Sequence, residues 1–72
     1  MATVKEEQEM VDRWNATHLV GTPVLYWPLA REGDGVLSKT RSLAQMFGGH
    51  TAVVWVDGAR GCIALDHVEA VA

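Results

Sequence analysis

At Gly21 the chain changes character, and that change limits what it can fold into. Upstream, Val4, Val11 and Trp14 recur at helical spacing with Met10 beside them, giving a narrow apolar stripe. Downstream, glycines and prolines cut the sequence into pieces too short for helices: Pro23 and Pro28 bound Val24-Leu25-Tyr26-Trp27, and Gly48-Gly49 and Asp57-Gly58 bound Thr51 to Val56. The sequence therefore predicts a short helix over residues 1–18 and a compact β unit over 19–72. With 72 residues there is room for one domain at most. A chain of that size buries only about 60% of the surface its unfolded form exposes.

The helix has its own start signal. Thr3 followed by Glu6 fits a capping box, and Glu6, Glu7 and Glu9 suit the positive end of the helix dipole. A helix of about 12 residues is marginal unless it packs, so Trp14 is expected to dock on the β unit or on another subunit. In the β unit, Val24 to Trp27 reads as the first strand and Arg31-Glu32-Gly33-Asp34-Gly35 as a polar loop. Residues Val36 to Phe47 read as one long strand with mixed faces, its end near Ala44 to Phe47 tending to coil. Thr51 to Asp57 is the central strand, Asp57-Gly58 a hairpin turn, and Gly61 to Leu65 the returning strand. Asp66-His67-Val68 reads as a 3₁₀ turn and Glu69 to Ala72 as a closing strand.

Composition removes several function classes. A hydrophobic content of 49% points to a folded core, and no apolar run reaches the roughly 18 residues of a membrane span. The acidic start, Met1 to Met10, is unlike a secretory signal, so a cytoplasmic location, in a bacterium or an infected host cell, is the expectation. The sequon Asn15-Ala16-Thr17 is then without meaning, and the single cysteine, Cys62, cannot form an internal disulfide. Net charge is −3. Lys5 and Arg13 stand against Glu6, Glu7, Glu9 and Asp12 in the helix; Arg31, Lys39, Arg41 and Arg60 stand against Glu32, Asp34, Asp57, Asp66 and Glu69 in the rest. Overall charge does not recruit nucleic acid, although a local patch could.

Four or five short strands, a long polar loop after the first, and a helical turn before the last make the SH3-like plan. The run Gly61-Cys62-Ile63-Ala64-Leu65-Asp66-His67-Val68-Glu69-Ala70-Val71 resembles the end of SH3 domains, with a glycine, a buried aliphatic strand and a turn ending in valine. That resemblance implies a mostly β fold: a small SH3-like barrel of four to five antiparallel strands with a short N-terminal α-helix. It does not imply proline-peptide binding, because the Ala-Leu-Tyr-Asp-Tyr-like segment and the tryptophan after an acidic loop are missing. Trp14-Asn15, Val20 to Val24, Tyr26-Trp27, Thr40-Arg41-Ser42 and Gly61 to Val68 together also look like small uncharacterised proteins of bacteria and their phages. This likeness brings no activity with it.

Three chemistries can be written down and set aside. Gly33-Asp34-Gly35-Val36-Leu37-Ser38-Lys39-Thr40 approaches a phosphate-cradling loop, but Ser38 stands where glycine must precede the lysine. His18, His50, His67 and Cys62 lack the close pairing of zinc ligands. Cys62 with His50 and Asp57, or with His67 and Asp66, would need an exposed, electropositive thiol; Cys62 lies mid-strand beside Ile63. The sequence is accordingly read as non-enzymatic, with no catalytic residue, metal or cofactor.

The expected function is binding, by a protein-interaction module whose partner is another protein or a second copy of itself. Candidate contact residues are Tyr26, Trp27, Arg31, Lys39, Arg41, Trp55 and Arg60. Strand alternation puts Tyr26 and Trp27 on opposite faces, one core and one exposed. Trp55 either fills the core or joins the basic residues as an aromatic platform. The alternative reading is a nucleic-acid-binding SH3-like module using Lys39, Arg41 and Arg60.

Overall fold

The structure is a computed structural model that describes residues 3–71. The helix forms where its signals place it, α1 over Val4–Thr17. Thr3 Oγ1 accepts the Glu6 N–H at 3.1 Å and the Thr3 N–H donates to Glu6 Oε1 at 3.3 Å, completing the capping box. Val11 is buried in the common core and Met10 and Trp14 pack on it, so the helix docks on its own chain. Val4 stays exposed, a turn too early to meet the sheets. Met1, Ala2 and Ala72 lie outside the described residues, and with them the outer ends of the expected helix and closing strand.

The rest is β, in six strands rather than four or five. They are β1 Pro23–Tyr26, β2 Val36–Lys39, β3 Gln45–Phe47, β4 Thr51–Val54, β5 Ile63–Ala64 and β6 Val68–Ala70, with a 3₁₀ turn over Leu65–His67 before the last. They form two three-stranded antiparallel sheets, ordered β2-β1-β6 and β3-β4-β5. The expected closed barrel is not what forms. The returning strand, predicted over Gly61 to Leu65, shrinks to Ile63–Ala64. Asp57-Gly58 does make a tight turn, closed by the Ala59 N–H on the Val56 carbonyl at 3.4 Å, but the chain runs on through residues 60–62 before β5 begins.

The expected long strand over Val36 to Phe47 survives as a path but not as a ladder. Its first part, β2, pairs with β1, Leu37 opposite Leu25. It then crosses to the other sheet: Thr40 bridges Val56, and the Arg41 N–H donates to the Trp55 carbonyl at 2.9 Å. Its last part, β3, pairs with β4, Gln45 opposite Val53. Between Thr40–Val56 and Gln45–Val53 one strand advances five residues and the other three, so two residues are extruded at 41–44. The mixed polarity of this segment is the sequence's trace of a strand that changes sheets.

That extrusion leaves Ala44, a buried residue, without a ladder partner. Asn15 on α1 supplies one: its Oδ1 accepts the Ala44 N–H at 2.8 Å and its Nδ2 donates to the Ala44 carbonyl at 3.0 Å. A side-chain amide here takes the place of a strand. Glu7 does the same about two turns earlier. Strand β5 reaches only Val53 and Val54, and Glu7 Oε1 accepts the neighbouring Ala52 N–H at 3.0 Å.

The core lies between the sheets and the helix. Val24, Val54 and Val56 are fully buried, with Tyr26, Ala52, Ile63, Leu65 and Val68 around them. Gly48 and Gly49, at φ +65° and +78°, make the β3–β4 turn, a conformation with two successive positive φ values that side chains disfavour.

Removing the Asn15 amide leaves two buried backbone groups unpaired, at about 1–3 kcal/mol. Asn15→Ala should lose about that much stability in urea unfolding while keeping its circular dichroism spectrum. Asn15→Asp should recover part of the loss, because it still accepts the Ala44 N–H.

Candidate functional site

The seven residues singled out from the sequence do not come together. Tyr26 ends β1 in the core. Trp27 is also buried, at 7% exposure, which corrects the expectation that one of the pair faces solvent. Alternation ends with the strand. One residue past it, the Trp27 N–H donates to the His67 carbonyl at 2.9 Å and the indole turns under the loop that follows.

That loop is built around the ring. The Trp27 indole N–H donates to the Gly33 carbonyl at 3.2 Å, and the Arg31 guanidinium stacks 4.4 Å from the ring centroid. Arg31 continues outward to Glu69 Oε2 at 2.8 Å and to the Asp66 carbonyl at 2.9 Å. Gly35 lies so close that a Cβ there would sit 2.8 Å from the indole. The polar loop Arg31 to Gly35 is thus a clasp over Trp27, and Arg31 is its pin.

Two of the three other basic candidates are also engaged within the chain. Arg41 donates from Nε to the Val56 carbonyl at 3.2 Å and from Nη2 to the Ala59 carbonyl at 3.4 Å, bracing the turn after β4. Lys39 Nζ lies 3.9 Å from Asp57 Oδ2. Arg60 is exposed in the β4–β5 connection. Trp55 is half-buried and is neither a core residue nor a free platform: Ala52, Val54 and Val56 take the inner face, and the Trp55 N–H donates to Ser42 Oγ at 3.2 Å.

The residues considered for chemistry are likewise dispersed. His67 Nδ1 is 3.1 Å from the Trp27 carbonyl, His50 Nδ1 is 2.7 Å from Thr51 Oγ1, and His18 packs on Trp14 with ring centroids 4.3 Å apart. Among the described residues no three His, Cys, Asp or Glu side chains gather as metal ligands. Ser38 and Lys39 lie in β2, so the glycine-rich stretch before them leads into a strand and not the helix a phosphate loop needs. No helix of the described residues is long and apolar enough to cross a membrane.

What the fold leaves open is the outer face of the β2-β1-β6 sheet, which the sequence reading passed over. Val24 and Tyr26 point inward, so the alternate residues point out: Leu25 beside Leu37 and Glu69, and Pro23 beside Lys39 with Val71 on its other side. Leu37 is 70% exposed. At its edge this face runs into a shallow groove of about 530 Å³ lined by Gly21, Pro23, Leu37, Ser38, Lys39, Asp57 and Gly58. The signal in the sequence is strand alternation, which puts Leu37 on one face of the 36–47 segment with Lys39. A second, smaller cleft of about 300 Å³ lies between α1 and the segment Leu65 to Val68. No protein-family model, curated protein or solved structure matches this chain.

Gly35→Ala should unfold more easily, by about 1–3 kcal/mol, since the added methyl meets the indole and the residue sits at φ +76°. The indole should shift to longer-wavelength fluorescence as the clasp loosens; an unchanged spectrum and midpoint would show that the loop does not hold the ring.

Proposed function

We propose that this protein is a small non-catalytic protein-interaction module of SH3-like plan, and that its outer sheet face docks a second copy of the chain. The plan is supported by the strand that runs from β2 through Thr40 into β3 and so belongs to both sheets, and by the 3₁₀ turn before β6. The single observation that carries the binding reading is Leu37, a leucine 70% exposed on the edge strand β2, beside Leu25 on the outer sheet face. Pro23, Leu25 and Val71 extend that face.

A second copy fits it for an electrostatic reason. Lys39 and Asp57 stand at one corner, and Glu69 and Arg31 at the diagonal one. A two-fold axis lying in the interface and perpendicular to that diagonal brings Lys39 of one copy over Glu69 of the other, and the reverse. The contact is small. Three strands at about 4.8 Å spacing and four residues at about 3.3 Å rise cover much less than the usual ~800 Å² per partner, so the association is weak and concentration-dependent. Of the three residues the nucleic-acid reading needs, Arg41 is tied to the Val56 and Ala59 carbonyls, which leaves that reading only Lys39 and Arg60 and favours the one proposed.

Sedimentation equilibrium should show a monomer–dimer equilibrium that Leu37→Asp removes without lowering the thermal midpoint. Lys39→Glu with Glu69→Lys should retain the dimer better than either single change. A chain that stays monomeric at millimolar concentration would overturn the proposal.

A further inference from the structure

The opposite edge of the same sheet carries a different feature. Along β6 and the residues flanking it, the positions hydrogen-bonded to β1 and its extension are the odd ones: the Trp27 N–H donates to the His67 carbonyl, and the Val71 N–H to the Pro23 carbonyl at 3.0 Å. Antiparallel pairing alternates, so Val68 and Ala70 turn their backbone groups away from β1. The Val68 N–H closes the 3₁₀ turn on the Leu65 carbonyl. The Val68 carbonyl and the Ala70 N–H and carbonyl then have no partner among the described residues. These are the groups through which a sheet edge accepts another strand.

Alongside this edge lies the 300 Å³ cleft, walled by Met10, Trp14, Leu65 and Val68, with Arg13, Thr17 and His18 completing its lining. Val68 and Ala70 sit opposite Tyr26 and Val24, so their side chains are on the inner face of the sheet, the side on which α1 lies. A strand added beside them would send its alternate side chains the same way, into the cleft. Arg13 is exposed and, unlike Arg31 and Lys39, forms no ion pair among the described residues. Of its acidic neighbours on the helix, Asp12 accepts from Gln8 Nε2 at 3.0 Å. A second copy is a poor occupant here, since antiparallel pairing of β6 with β6 brings two Glu69 carboxylates together.

We propose that the free edge of β6 and the α1 cleft together form a receptor for an extended segment of another protein. The segment adds as a fourth strand, places one apolar side chain against Trp14 and Leu65, and sets a carboxylate on Arg13. This site is separate from the outer face and does not use Leu37.

The test is nitrogen–proton NMR of the intact chain with a library of blocked hexapeptides, apolar at alternate positions and carrying one Asp at either end. Binding members should shift the Trp14 indole signal and slow exchange of the Ala70 amide about tenfold or more, in proportion to occupancy. Arg13→Glu, a surface change that spares the fold, should weaken them about tenfold and favour the same peptides with Lys for Asp. Leu37→Asp should bind as the parent does. No binding by any member at millimolar concentration, or binding that leaves Ala70 exchange unchanged, overturns the proposal.

Discussion

Two hydrogen bonds from Asn15 to Ala44 make the rest of this structure possible. A chain of 72 residues cannot afford two separate cores, so a single strand has to serve both sheets. Serving both means turning a corner, and the corner extrudes two residues at 41–44 and strips a buried backbone position of its partners. The helix repairs that loss. Asn15 therefore joins three decisions in one contact: where the strand bends, where α1 sits, and how Val11 and Trp14 reach the core. Glu7 on Ala52 is a second case of the same device, a helical side chain standing in where β5 runs out.

The clasp over Trp27 follows from the same shortage of material. A small fold has few large side chains to spend, and one of them sits beyond the end of β1, where no opposing strand covers it. The loop from Arg31 to Gly35 covers it with a cation, a carbonyl and a glycine, and Arg31 then reaches Glu69 on β6. The loop's charge serves the fold first. With Arg31 and Arg41 used in this way, the surfaces proposed for partners are the outer face, where Leu37 stands exposed beside Lys39, and the free edge of β6. One is a face of the sheet and the other its β6 edge with the cleft on the inner side, and the second does not use Leu37.

The sequence by itself determined the division at Gly21, the capping box at Thr3 and Glu6, the β3–β4 turn at Gly48-Gly49, the alternation that separates Ala52, Val54 and Val56 from Trp55 but not which of the two faces is core, and the helical turn before the last strand. All of these are local: a cap, a turn dihedral or an alternation is decided within a few residues. The mostly β class follows from them. Only the tertiary structure decided that the strand over 36–47 crosses between sheets, that Trp27 turns inward just past its strand, and that Asn15 and Glu7 are strand surrogates. Each of these depends on residues 14 to 45 positions apart or on where a strand stops, and no local pattern encodes that. The candidate surface was least legible for the same reason. Aromatic and basic residues look like binding residues in a sequence, but whether they are free to bind is settled by what they touch, and here they mostly touch the chain itself.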